Sequence, residues 1–400
     1  MNDSLENQLH AKSIKTFIIT IFVLMLFTSC RPHSVKQTTD KIAPISQEPL
    51  SSKSGDILLE PARNAFERQD YRDALSQVKK ALSRGASKSE ALDLRADIFK
   101  EAGYLDRCVE TLIEWKTLAP TDPSPSNRLF FEYLQLGWRV EAERESKRLT
   151  ELSPHDPRTL QTKALLGFRS QQPSTAIEPI AEARKLDPKN RTLFEVQVSI
   201  LNRAGRGEEA ERAMRAFLNF DSLSNSDQKL LLTSYMVSKK NKEALELATK
   251  LSVLIPSDPE IHFQRGILLE KQGDMKSAAL SYDKTVSLSR GFGNSLWKLG
   301  HAYVSLGRVD EGKRLMREYE SHDKYTSDFE TTVKQLESHP DDPKLHLKLA
   351  NFHSEADEAP EAIIELKKVL QLQPQNKEVR LKLKDALERQ GRKTEANQIR

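Results

Sequence analysis

Apolar residues recur three and four positions apart along most of the chain, which places them on one face of an α-helix. Between residues 157 and 190, Thr159–Arg169 (TLQTKALLGFR) and Ala176–Leu186 (AIEPIAEARKL) both follow this pattern. Residues 170–173 interrupt it, and Asp187-Pro188 ends the second stretch. The pattern predicts a hairpin of two antiparallel helices.

A small residue recurs early in the second helix of each predicted hairpin. Eight of these residues are 34 positions apart, and the series resumes after one step of 50. The positions are Ala74, Cys108, Ala142, Ala176, Ala210, Ala244, Ala278, Gly312, Ala362 and Ala396. A fixed period of this length is typical of a stacked repeat array. We interpret the small side chain as the point where the two helices approach most closely, because overpacking there costs about 1–3 kcal/mol.

The joints between the predicted helices repeat as well. Asp-Pro pairs such as Asp156-Pro157 begin a following helix, where Asp caps the free N–H groups and Pro suits the first turn. Glycines with access to positive φ mark the turn inside the hairpin. They lie five positions before the small residue, at Gly103, Gly137, Gly205, Gly273, Gly307 and Gly391.

These joints and the period make the chain resemble the tetratricopeptide repeat (TPR), a helix–turn–helix unit of 34 residues. The fullest local match is Leu296, Leu299, Gly300 and Tyr303, followed by Gly307 and Gly312. The resemblance covers residues 57–400. It implies an all-α fold, a right-handed superhelical solenoid of antiparallel helix pairs with about ten units.

The spacing divides the array. We expect eight units over residues 57–324 and two further units over 342–400, the last acting as a charged C-terminal cap. Residues 325–341 keep helical spacing at Phe329, Val333 and Leu336, which indicates an additional or lengthened helix.

The first residues are a separate case. Phe17–Phe27 is an apolar run preceded by Lys12 and Lys15, too short to span a membrane and typical of a secretory signal peptide, here residues 1–29. A short uncleaved anchor is the alternative. Residues 30–56 are polar and rich in Ser, Thr and Pro, which predicts a flexible tether with a reach of about 25–30 Å.

Thr28-Ser29-Cys30 resembles the lipobox of bacterial lipoproteins. The resemblance implies that Cys30 is lipidated and becomes the first mature residue. Because Arg31 stands where an inner-membrane retention signal has Asp, it implies the periplasmic face of the outer membrane. An ordinary cleaved signal, with a periplasmic protein, and an inner-membrane anchor remain alternatives.

The composition and the motifs argue against an enzyme and against a cofactor or metal site. The net charge of +4 has no basic block, so we expect no nucleic-acid partner. The two cysteines exclude a disulfide framework and a four-cysteine zinc site. Gly307–Lys313 matches the start of a phosphate-binding loop, but Arg314 replaces the Ser or Thr that binds magnesium. We therefore expect no enzyme, no cofactor and no metal.

Histidines give no metal signature either. His346 and His353 share a face of one predicted helix, without the accompanying residues of a zinc site. We predict ordinary packing and rim positions for both.

In the TPR family, the first helices of the units line a concave groove. The resemblance implies that the groove here carries Asn127, Phe131, Leu134, Phe168, Arg169, Met236, Phe263, Trp297 and His301. One interpretation is a trough for an extended or helical protein segment, anchored by the aromatic residues. The other is that these residues pack against adjacent helices. The preceding unit is acidic there, with Asp93 and Asp97.

Together these features suggest an envelope-anchored scaffold or adaptor that binds partner proteins or peptides. By analogy with the family, the candidate processes are polysaccharide export, pilus biogenesis and outer-membrane biogenesis. The alternative function is a carbohydrate- or peptidoglycan-binding accessory factor that uses Trp297 and Phe168.

Overall fold

The computed structural model describes residues 56–169 and 173–399, apart from the side chains of residues 221, 321 and 322. The predicted signal peptide at 1–29, the lipidation site Cys30 and all but the last residue of the predicted tether lie outside the described residues.

The described residues contain α-helices and short 3-10 turns, and no strand. The apolar spacing explains this, because each helix buries one face against its neighbours. The first ten helices are α1 (Glu60–Glu67), α2 (Tyr71–Ser83), α3 (Lys88–Glu101), α4 (Leu105–Leu118), α5 (Ser124–Gln135), α6 (Arg139–Leu152), α7 (Pro157–Arg169), α8 (Ile177–Leu186), α9 (Arg191–Arg203) and α10 (Gly207–Phe217). The next ten are α11 (Asn225–Val237), α12 (Asn241–Leu254), α13 (Pro259–Lys271), α14 (Met275–Leu288), α15 (Ser295–Ser305), α16 (Val309–Ser338), α17 (Pro343–Glu355), α18 (Ala359–Leu372), α19 (Lys377–Arg389) and α20 (Lys393–Ala396).

Consecutive helices pack against each other, among them α1 with α2, α3 with α4 and α19 with α20, and the helices follow one another in the order of the predicted hairpins. All six predicted turn glycines have positive φ, between 74° and 85°. At the same turn position, three other hairpins place Gln69, Lys239 and Asp357 in this left-handed region. The turn geometry therefore belongs to the repeat, and glycine is its most favourable residue.

The ten small positions are all buried. The reason is clearest at Gly312, where an added Cβ would lie 2.5 Å from the carbonyl oxygen of Gly300 and 2.6 Å from Cγ2 of Val304. The helices α15 and α16 approach so closely there that no side chain fits. This close approach is the packing that the prediction assigns to the small residue.

The predicted Asp caps are present. Asp122, Asp156, Asp258 and Asp342 each accept a hydrogen bond from the backbone N–H two residues further on, at 2.8–3.0 Å. Each cap satisfies a donor that the first turn of the helix leaves without an intrahelical partner.

Helix α16 is 30 residues long and runs without a break to Ser338. The segment after residue 324 therefore lengthens this helix. Its apolar residues Phe329, Val333 and Leu336 are buried, and the Phe329 ring meets that of Phe352 edge to face at 5.5 Å.

The described residues divide into two compact units. One contains residues 163–328, and the other joins residues 56–162 with 329–399. The second unit therefore combines hairpins from both ends of the array. The division of the array at residues 324 and 342 stays a prediction.

Candidate functional site

Helix α15 presents an exposed aromatic face in the unit of residues 163–328. Trp297, His301 and Val304 lie at i, i+4 and i+7, and Trp297 and Val304 are 37% and 36% exposed. The opposite side of the helix is buried through Leu296 and Leu299. The helical period that buries the leucines therefore turns Trp297 and His301 outward, and Val304 lies at the edge of this face, with Cγ2 directed at Gly312 of α16.

The exposed rings form a small platform. The centroids of Trp297 and His301 are 3.9 Å apart, with the planes inclined at 48°. The Nζ of Lys298 lies 5.8 Å from the centre of the Trp297 ring. Lys298 is held by Glu270, whose carboxylate oxygens are both 3.0 Å from Nζ. Glu270 also accepts a hydrogen bond from the buried Tyr282 hydroxyl, which fixes the carboxylate beside the platform.

This network shifts one pKa strongly. Burial raises the pKa of Tyr282, and the hydrogen bond to Glu270 and the charge of that carboxylate raise it further. Tyr282 therefore keeps its proton and remains a hydrogen-bond donor throughout the physiological range.

Three of the nine predicted groove residues are buried, which is the arrangement of the second interpretation, in which they pack against adjacent helices. Leu134, Phe168 and Phe263 are each at most 5% exposed. Phe263 packs against Phe292 at 5.6 Å and against Tyr282 at 5.9 Å. The guanidinium of Arg203 covers the Phe168 ring at 5.1 Å. Close stacking of neighbouring helices fills these positions, so all three residues contribute to packing.

Four further groove residues are half-buried: Asn127, Phe131, Arg169 and Met236. Phe131 meets Phe130 edge to face at 5.2 Å, and Met236 packs at the margin of the apolar cluster that contains Phe263. These four side chains are partly accessible to solvent, whereas Trp297 and His301 are the exposed members of the predicted set.

The predicted acidic face is neutralised within the chain. The guanidinium of Arg128 pairs with both Asp93 and Asp97, and its side chain is 8% exposed. Burial raises the pKa of Asp97, and the charge of Arg128 acts in the opposite direction. Further along, Lys229 lies 2.8 Å from Asp258 and 2.7 Å from Glu260. These first-helix charges therefore serve contacts between neighbouring repeats.

The structure contains a second polar cluster, which the sequence analysis did not predict. In the other unit, Asp106 at the start of α4 accepts two hydrogen bonds from Arg392, both at 2.8 Å, and is also bonded to Lys367. Near it, Glu365 of α18 accepts from Trp138 Nε1 at 2.7 Å and lies 2.6 Å from His346 Nδ1. We call this set of five residues and Lys367 the closing contact. No sequence signal identifies it, because its partners are up to 286 residues apart.

The remaining reactive groups have structural roles. Cys108 is a buried free thiol, and its pKa is raised by burial and by the charge of Glu132, so it stays protonated. His346 and His353 are buried and hydrogen-bonded to Glu365 and Glu358. In the described part of the chain, no three His, Cys, Asp or Glu side chains are grouped so that they could hold a metal ion.

Among the described helices, none combines the length and the apolar character that crossing a membrane requires.

Neither a protein-family model nor a curated protein sequence matches the chain. Among solved structures, a tetratricopeptide repeat protein from Parabacteroides merdae is similar, with 17% identity and a TM-score of 0.48 over 61% of this chain and 97% of that chain. PilW, a type IV pilus biogenesis factor, has 18% identity and a TM-score of 0.44 over 50% and 93%. A human IFIT1 dimer with m7Gppp-AAAA has 15% identity and a TM-score of 0.44 over 87% and 89%.

The residues that the structure describes have an all-α fold of tandem helical hairpins.

Proposed function

We propose that this protein is a scaffold or adaptor of the bacterial envelope, which binds partner proteins or peptides along the first-helix faces of its array. The exposed platform of Trp297, His301 and Val304 carries this proposal. An amphipathic ring held at the surface is a common anchor for a partner, because it offers apolar area at little cost in side-chain entropy. Helix-in-groove and extended-peptide binding are the matching modes of recognition.

The location is also part of the proposal. The apolar run before Cys30 and the lipobox-like residues suggest a lipid anchor at the periplasmic face of the outer membrane. From there the array would recruit proteins for envelope assembly or secretion. Polysaccharide export, pilus biogenesis and outer-membrane biogenesis are the candidate processes. Catalysis and nucleic-acid binding are not part of the proposed function.

A carbohydrate- or peptidoglycan-binding accessory role is the second candidate. Trp297 favours it, because an exposed indole ring can stack on a sugar ring. Phe168 does not contribute, since its ring lies under Arg203.

We expect Trp297→Ala to reduce crosslinking of partner proteins about tenfold or more, since truncating a central aromatic anchor costs about 2 kcal/mol or more. The measurement is photocrosslinking of the full chain in cells, followed by quantitative mass spectrometry. Leu280→Ala is the matched control, because Leu280 is also exposed, at 67%, on α14 of the same unit. Equal protein recovery from both variants would contradict the platform as a protein-binding site. Unchanged protein recovery with loss of peptidoglycan retention would favour the second candidate.

We expect Cys30→Ser to abolish incorporation of labelled palmitate and release the protein from the membrane fraction, since the thiol carries the proposed lipid. Cys108→Ala is the control. It removes the other cysteine of the chain, which is buried, and should leave the label unchanged. Full labelling of Cys30→Ser would exclude the lipid anchor and leave the platform proposal intact.

A further inference from the structure

The closing contact joins hairpins from the two ends of the array within one unit. It connects α4 and the start of α6 with α17, α18 and the turn before α20. Contacts between consecutive repeats combine Ala and Leu with charged pairs such as Arg128 with Asp93, and the closing contact likewise contains buried charges. Here the buried groups are Asp106, Glu365 and Arg392, each at most 6% exposed. Buried ion pairs add little net stability, because desolvation offsets their attraction, so a small chemical change is enough to open such a contact.

At the His346 end of the closing contact, the hydrogen-bond geometry requires a proton between His346 and Glu365. His346 Nε2 lies 2.8 Å from the carbonyl oxygen of Pro340, which only accepts, so Nε2 carries a hydrogen. His346 Nδ1 lies 2.6 Å from Glu365 Oε2, and this bond needs a second proton between the two groups. If that proton leaves, a nitrogen lone pair faces a carboxylate oxygen at hydrogen-bond distance, which is repulsive.

The carboxylate of Glu365 also binds Trp138, which belongs to the N-terminal hairpins of this unit. Glu365 Oε1 accepts the indole N–H of Trp138 at 2.7 Å, and the rings of His346 and Trp138 are nearly perpendicular at a centroid distance of 5.8 Å. The proton on His346 therefore orients the carboxylate that binds Trp138. We propose that the closing contact is a pH-sensitive latch, in which loss of the proton between His346 and Glu365 releases Trp138.

The charges around His346 agree with this assignment. From α18, Glu365 and Lys368 face it, and Asp341 precedes its helix. At the start of α6, Glu141 pairs with Lys368, and the charge of Arg144 acts on Asp341. Lys368 lies 3.0 Å from Asp341 and 3.9 Å from Glu141, so its charge is largely compensated.

The pKa of His346 sets the direction of the response. Burial lowers this pKa, but the hydrogen bond and charge of Glu365, with the Pro340 carbonyl, outweigh burial and raise it. A raised pKa means that the stabilisation is present below the ordinary histidine pKa and is lost as pH rises through the folded-state value. The latch therefore opens toward alkaline pH.

The Asp106 end of the closing contact does not change its protonation between neutral and alkaline pH. Burial raises the pKa of Asp106, but hydrogen bonds and charge from Arg392 and Lys367 bring it down to about 2. Tyr133, which stacks on Trp138 at 5.8 Å, has a pKa raised by burial and stays neutral. The pH response is thus confined to the end at Trp138.

The test measures the accessibility of Trp138 in the full chain carrying Trp115→Phe and Trp297→Phe, since the protein has three tryptophans. We expect the acrylamide quenching constant to rise about threefold as the pH is raised from about 6 toward alkaline values, because a raised pKa means that the His346 imidazole loses its proton in that direction. Adding His346→Gln should make the constant independent of pH. The matched control is His353→Gln, on the same helix, whose partner Glu358 is not a member of the closing contact, and it should keep the wild-type response.

A change in emission intensity without a change in quenching would mean that deprotonation leaves the contact closed, and would overturn the proposal. So would the wild-type response in His346→Gln. Hydrogen exchange of residues 138–142 and of α18 in the unsubstituted chain, corrected for intrinsic rates, tests the same opening if Trp115→Phe perturbs folding. Exchange there should accelerate with pH, whereas equal protection at acidic and alkaline pH would refute the latch.

Discussion

Replacing Asp106 with alanine will lower the free energy of unfolding by about 3–5 kcal/mol, because the buried Arg392 guanidinium loses its carboxylate. The side chains of both residues are at most 3% exposed, and the two hydrogen bonds between them are parallel and 2.8 Å long. Arg392 keeps Glu395 and Gln390 as partners, but Glu395 is 31% exposed, and Arg392 Nη1 loses the buried carboxylate of Asp106. Urea unfolding of the full chain, followed by circular dichroism, measures the change.

Asp385→Ala is the matched control, because Asp385 pairs with Arg389 at 2.8 Å and both side chains are 59% exposed. We expect a change below about 1 kcal/mol for such a surface pair. The free energies of unfolding of the two variants should also respond differently to low pH. Since the pKa of Asp106 is lowered to about 2, its stabilisation is present above the ordinary carboxyl pKa and is lost as pH falls through that value. Equal stability of both variants would show that the closing contact contributes nothing to the fold.

Gly312→Ala is expected to lower the free energy of unfolding by about 2–3 kcal/mol through overpacking. The new methyl group would lie 2.5 Å from a backbone oxygen of Gly300, and α15 and α16 would have to move apart to admit it. Thermal unfolding measured by circular dichroism should show a lower midpoint.

Gly291→Ala provides the comparison for this substitution. A Cβ at Gly291 meets no heavy atom within 4 Å, and its φ is not in the left-handed region. Alanine there should leave the protein unchanged or stabilise it by about 0.4–1 kcal/mol, because the unfolded chain loses freedom. If Gly312→Ala unfolds at the same temperature as Gly291→Ala, close helix approach does not explain the repeated small residue.

The candidate platform was partly accessible to sequence reasoning. Phe263 and Trp297 occupy the same position of successive units, 34 residues apart, and the sequence treats them alike. The structure buries the first to 3% exposure and leaves the second at 37%. Phe292, in the turn before α15, covers Phe263. Exposure thus depends on side chains contributed by neighbouring segments, which a repeat register does not specify.

The sequence by itself determined the helical hairpins, their turns and the small residue where paired helices meet. These features follow from interactions within a few residues, so helix periodicity, capping and backbone sterics suffice to predict them. The tertiary structure alone decided that Asp106 pairs with Arg392 and that Trp138 binds Glu365, 286 and 227 residues away. Such pairs join residues that are far apart in sequence, so no local periodicity or spacing of residues indicates which side chains will meet.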